Sequence, residues 1–325
     1  MAPRALVTGG AGFAGQWLAR ALLRRGYAVT SVSQSARPDL PVLDDAEQQA
    51  VRWVQDDIRD AGGLGATVAE ERPAVIFHLA GVSYVPAAQQ SPLLAYDVNV
   101  MGVARLLGHV RAVRAQAPYD PVIVVVGSGE QYGRHEGGEF PLAETAEQRP
   151  LTVYAATKAA QETIALQAAR GEGLRVVAAR SFNHSGPGHA PHFLLPALVS
   201  RAAALPPSGG RLALGNDSVT RDFLHVADVA EAYCLLAEQG TPGEAYNVAS
   251  GEGVTVRALA ERVLQRLGIT AEIVSDPALV RPVDVPVLVG SPARLQAATG
   301  WTPRLSRDAI IDDLIRSAGS SHAPS

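Results

Sequence analysis

One cysteine stands in the chain, Cys234, and a lone thiol excludes an internal disulfide framework. Its setting, AEAYCLLAE, has helical apolar spacing and reads as core packing. Long hydrophobic runs are missing as well, since no apolar stretch approaches the ~20 residues needed to span a bilayer. The opening MAPRALVTGG passes straight into an apolar strand without the regions of a signal peptide, so the chain reads as cytoplasmic. A surplus of charge is absent: the net charge is -4, the pI is about 6.1, and no arginine-rich run occurs. Nothing therefore marks a nucleic acid or a membrane surface as partner, and an anionic ligand has to be met by local arginines. Lysine is almost missing too. Lys158 is the one lysine among 28 basic residues, and a position that keeps lysine in an arginine-rich chain invites a chemical reason.

What is present suffices for a sizeable core, with 47% apolar and 18% charged residues over 325 positions, a length that suggests about two domains. Short β-rich runs at 4–9, 27–33, 51–55, 74–80, 121–127 and 174–180 alternate with segments of helical period at 13–25, 91–114 and 154–170. That alternation predicts an α/β fold with a doubly wound parallel sheet. After Arg180 the texture changes to loops rich in proline and glycine, NHSGPGHAPH and ALPPSGG. The expected division is a dinucleotide-binding Rossmann domain over 1–182 and a smaller α/β substrate domain over 183–325. The helix-like 226–239 segment returns to the first domain in this reading.

The first strand ends in TGGAGFAG, with Gly9, Gly12 and Gly15 at three-residue intervals before a helix. In such a phosphate-binding turn the first glycine permits the bend, the second lets backbone approach a pyrophosphate, and the third lets helix and strand pack closely. After the second strand, where a carboxylate would hold the adenosine ribose, SVSQSAR has none until Asp39. Arg37 is the candidate for a 2′-phosphate, which gives a modest preference for NADP(H) over NAD(H). In QDDIRD, Asp57 and Ile58 are candidates for the adenine.

The solitary lysine lies in YAATK. A helix starting near Tyr154 puts Tyr154 and Lys158 on one face. A nearby ammonium favours the phenolate and brings the phenol toward proton exchange at neutral pH. GSGEQYG, after the fifth strand, presents Ser128 as a donor to a substrate carbonyl and Glu130 as a second acid or base. His184, His189 and His192 lack the carboxylate or cysteine partners of a metal site, so no metal is expected.

Together TGGAGFAG, FHLAG, GSGEQYG and YAATK resemble, in order and separation, the extended short-chain dehydrogenase/reductase superfamily with its epimerase/dehydratase members. The resemblance implies Ser128, Tyr154 and Lys158 as the catalytic set. It implies Gly9, Gly12, Phe13, Gly15, Leu79, Ala80 and Gly81 along the dinucleotide, with Asn99 supporting the site. It also implies a nucleotide sugar in the second domain and a homodimer through a four-helix bundle. SFNHSGPG, RDFLHVADV and RPVDVPVLVGSPARLQAATGW resemble the branch of GDP-mannose dehydratases and GDP-4-keto-6-deoxy-mannose reductases. In a diphosphate site Arg221 and Arg281 can offer forked bonds, Asn183 its amide, and Asp284 an acceptor for ribose hydroxyls. The expected activity is NAD(P)H-dependent reduction of the C4 ketone of a GDP-linked 4-keto-6-deoxy sugar. A 4,6-dehydratase using Glu130 and a nucleotide-sugar epimerase are the alternatives.

Overall fold

The computed structural model describes residues 2–60, 62–206, 209–280 and 284–320. The apolar runs of the first half become β1 (Arg4–Thr8), β2 (Ala28–Ser33), β3 (Val51–Gln55), β4 (Val75–His78), β5 (Val122–Val126) and β6 (Arg175–Ser181). Side chains alternate between the faces of a strand. In β5, accordingly, Val122 and Val124 enter one hydrophobic core while Ile123 and Val125 enter another. A parallel sheet covered by helices buries both faces, which is why VIVVV needs no polar alternation.

Beyond β6 lie β7 (Asn183–Ser185), β8 (Gly210–Leu214), β9 (Thr220–His225) and β10 (Ala245–Val248). They are followed by β11 (Gly253–Thr255), β12 (Ala271–Ser275) and β13 (Val287–Leu288). The described residues form a seven-stranded parallel sheet in the order β10-β6-β5-β4-β1-β2-β3. The order reverses between β1 and β4, and the carboxyl ends of strands at such a reversal open a crevice for ligands. Strand β10 comes from a stretch that the sequence reading does not count as part of the sheet.

Helices Phe13–Arg24 and Val226–Gln239 pack together on one face, with Leu18, Leu22, Val229 and Tyr233 in a common core. The other face is covered by Gly63–Glu71, Gly102–Gln116 and Val153–Glu172. A third core joins helices Leu194–Ala203, Val256–Leu267 and Arg307–Ser320 to β9 through Leu198, Leu259, Ile311 and Phe223. No helix among the described residues is long and apolar enough to cross a membrane.

Candidate active site

The glycine turn forms a tight cradle. Gly9 has φ +73°, and a Cβ there would lie 2.8 Å from the Ala80 nitrogen. A Cβ on Gly15 would lie 2.4 Å from the Gly9 carbonyl oxygen, so only glycine lets the helix start this close to the strand. Gly12 caps Phe13–Arg24 with no side-chain hydrogen bond, and no acidic residue stands in its first turn. The positive end of the helix dipole is thus left for an anion, and the cradle fits a pyrophosphate.

The crevice is one cavity of about 1360 Å³, above the ~300–1,000 Å³ usual for a single small-molecule site. Its wall includes Gly9, Gly12, Phe13, Gly15, Ile58, Leu79, Ala80 and Gly81. Arg37 is not on that wall; its guanidinium lies over the Trp53 ring, 5.5 Å from the centroid. Arg59 lines the cavity instead. It pairs with Asp57 at 2.5 Å, and that bond holds the Asp57 carboxyl well below the usual carboxylate range. Asp57 also accepts from Gln34 Nε2 at 2.8 Å and stays off the wall. Arg59 stood in QDDIRD, beside the two residues that the sequence reading chose.

Asn99 sits in a π-helical turn, Asp97–Met101, and is fully buried. Its Oδ1 accepts from the Val82 N–H at 2.7 Å, and its Nδ2 donates to Thr157 Oγ1 at 2.8 Å. Asn99 therefore ties the end of β4 to helix Val153–Glu172. Thr152 caps that helix by accepting from the Ala155 N–H, which fixes the first turns bearing Tyr154 and Lys158.

Ser128, Glu130, Tyr154 and Lys158 all line the cavity. Enclosure by protein pushes the Tyr154 phenol up to about 12; its hydrogen bond with Ser128 lowers it, and the Glu130 carboxylate raises it. Burial brings the Lys158 ammonium down to about 8. The expectation that Lys158 lowers the phenol is not met in this arrangement. Its ammonium donates to the Val126 carbonyl at 3.0 Å and to Gln161 Oε1 at 3.1 Å, and desolvation dominates Tyr154. Lys158 nevertheless stays near Gly81, where an added Cβ would lie 3.4 Å from its Nζ and 2.9 Å from Asn99 Oδ1.

In the second half, Asn183, Arg221 and Asp284 reach the same cavity. Buried Arg221 donates to the Val285 carbonyl at 2.6 Å and pairs with Asp284, so its charge is already offset. Arg281 lies outside the described residues. Besides Arg59, the wall residues not singled out from the sequence include Arg201 and Tyr233. Arg201 donates to the Ala197 and Ala213 carbonyls at 3.2 and 2.8 Å, has no carboxylate partner among the described residues, and is lowered by burial. Tyr233 shares a 2.5 Å hydroxyl pair with Ser181. The histidines form a ring stack: His189 lies between Phe13 and Phe193, with 4.3 Å between centroids on each side. No group of three or more His, Cys, Asp or Glu among the described residues could hold a metal.

The strand reversal, the glycine cradle and a serine, tyrosine and lysine on one wall define a class: a dinucleotide-dependent α/β enzyme of the extended short-chain dehydrogenase/reductase superfamily. A family described as GDP-mannose 4,6 dehydratase matches residues 6–314, and the chain belongs to that family. It is 36% identical over 249 residues to GDP-6-deoxy-D-mannose reductase of Pseudomonas aeruginosa, covering 75% of this chain and 81% of the relative. RMD from Pseudomonas aeruginosa, solved in complex with NADPH, superimposes with a TM-score of 0.81 at 31% identity, over 98% of this chain and 99% of that one. UDP-glucose 4-epimerase of Thermus thermophilus, solved with NAD, gives a TM-score of 0.83 at 30% identity, over 97% and 98%.

Proposed function

We propose that this enzyme reduces the C4 ketone of GDP-4-keto-6-deoxy-mannose to give GDP-6-deoxy-D-mannose (GDP-rhamnose). The observation behind the reading is the continuous cavity, which runs from the glycine turn past Ser128, Tyr154 and Lys158 to Arg201 and Arg221. The 36% identity to the Pseudomonas aeruginosa reductase supports the choice of sugar. Residues 1–182 with 226–239 would hold the dinucleotide, and residues 183–325 the nucleotide sugar.

Reduced nicotinamide, when bound, supplies the hydride that C4 accepts. Ser128 Oγ–H donates to the ketone oxygen and polarises it. As the C4–H bond forms, the C=O π pair takes the Tyr154 proton and becomes the new O–H bond, leaving a phenolate that solvent reprotonates. Burial disfavours that phenolate; Lys158 does not lower the phenol in the present arrangement, and in this reading its ammonium offsets the charge once the phenolate forms. Arg201, whose charge no carboxylate offsets among the described residues, would meet the diphosphate, with Arg221 and Asn183 beside it. NADP(H) is the preferred form in this reading, because no carboxylate follows β2 until Asp39 and Arg59 lines that end of the cavity. The enzyme would work in the cytoplasm, where reduced dinucleotide is regenerated.

Glu130 lines the same cavity as Ser128 and Tyr154, which makes 4,6-dehydration of GDP-mannose the second reading, with Glu130 assisting loss of water from C6. The fold is shared with an epimerase, which would oxidise and reduce one carbon. Incubation of the 4-keto-6-deoxy substrate with NADPH deuterated on either face of the nicotinamide C4 separates these. One of the two labels should appear at sugar C4 with net NADPH oxidation. Label at neither face's product, or no net oxidation, would reject the reductase.

A further inference from the structure

Lys158 has no carboxylate partner among the described residues; its hydrogen-bond partners are neutral. Gln161 Nε2 donates to the same Val126 carbonyl, at 2.8 Å, that the ammonium uses. Lysine, carbonyl and amide thus close a small ring of hydrogen bonds between helix Val153–Glu172 and the end of β5, just before Ser128. Both side chains are buried, Gln161 at 0% and Lys158 at 4% exposure. The neighbouring carboxylate, Glu162, is engaged elsewhere: it accepts from Arg180 at 2.7 and 2.9 Å, from Gln131 at 3.0 Å and from Gln148 at 2.7 Å.

We propose that Gln161 is a positioning residue, whose amide fixes the Lys158 ammonium at the cavity wall while leaving its charge unneutralised toward the dinucleotide and Tyr154. The inference rests on the dinucleotide part of the proposed function and not on the identity of the sugar. Chemistry explains the residue type. A glutamate at 161 would form a buried ion pair and quench the field of the ammonium, whereas a methionine would fill the space and leave Lys158 with the Val126 carbonyl alone.

Four groups around Lys158, namely His78, Tyr154, Tyr233 and Glu162, are shifted away from the region where it titrates. His78, at the end of β4, is brought down to about 3 by burial and then by Lys158 itself. Tyr154 is up at about 12, and burial raises Tyr233 of Val226–Gln239. Burial would raise Glu162, but its Arg180 bonds outweigh that and hold it low. Glu130 faces the site from the turn after β5.

The test is the affinity for NADPH, followed by its fluorescence from about pH 7 to about 10, in the wild type, Gln161→Glu and Gln161→Met, with thermal midpoints alongside. The ammonium is present below its pKa of about 8 and lost above it, so wild-type affinity should weaken as pH rises through that region. Gln161→Glu should move this midpoint up by about one unit, because a carboxylate holds the proton. Gln161→Met should move it down and weaken neutral-pH affinity on the order of tenfold. A flat wild-type profile, or an unmoved midpoint in either folded variant, would overturn the proposal. Loss of fold in both variants would make Gln161 a packing tie and overturn it equally. No sugar enters the titration, so failure of the substrate reading leaves this result interpretable.

Discussion

Three arginines on the cavity wall of the described residues differ in what they touch: Arg59 pairs with Asp57, Arg221 with Asp284, and Arg201 with backbone carbonyls alone. Arg59 and Arg201 stand in opposite halves, so their losses should separate. Arg201→Ala is expected to raise KM for the GDP-sugar on the order of tenfold and leave NADPH affinity unchanged. Arg59→Ala should lower the preference for NADPH over NADH by a similar factor and spare the sugar, while Arg37→Ala changes neither. Steady-state KM values for both dinucleotides and the sugar check this; a preference lost in Arg37→Ala and kept in Arg59→Ala would return the 2′-phosphate to the residue first chosen. The sequence made the lysine legible because its identity alone was unusual. It could not show which arginine is stacked on Trp53 and which faces the cavity, since that depends on how two loops fold.

The strands of the first half were readable to within a residue or two at most ends, because buried parallel strands are continuous apolar runs bounded by turn residues. Strand β10 escaped notice because AYNV is four residues long and carries a polar Asn247, whose amide is satisfied by the Leu142 carbonyl at 2.8 Å. The π-helical turn at Asp97–Met101 also escaped, since helical periodicity continues through it and only the depth of Asn99 betrays it. Beside that turn Leu93, Tyr96 and Met101 are 85%, 41% and 48% exposed, and Leu151, before helix Val153–Glu172, is 47% exposed. Large apolar side chains grouped on neighbouring helices commonly mark an interface. We propose that this face, pairing the helices around Asn99 and Tyr154 with their copies in a four-helix bundle, makes the homodimer. Light scattering at micromolar concentration should give twice the chain mass for the wild type and the chain mass for Leu93→Asp/Met101→Glu. A monomeric wild type would remove the dimer.

At the scale of the whole molecule, the two halves are joined across the cavity by the Phe13–His189–Phe193 stack and by the Trp17 Nε1 bond to the Pro187 carbonyl at 3.1 Å. Burial, then the neighbouring histidines, bring His189 down to about 3, so the stacked ring is neutral. Motif order alone was enough to indicate the class, because glycine turn, serine, tyrosine and lysine must each follow a particular strand to meet at one sheet edge. The histidines were legible only as an unlikely metal set, and their stacking across the halves is a tertiary fact with no local signal. Reaction direction is likewise a property of the assembled cavity, where Glu130 stands close enough to influence Tyr154. The most direct measurement is therefore of products: purified protein is given GDP-mannose alone and, separately, GDP-4-keto-6-deoxy-mannose with NADPH. The reductase reading predicts one NADPH oxidised per sugar reduced at C4 and no change in GDP-mannose, whereas conversion of GDP-mannose without net use of dinucleotide would contradict it.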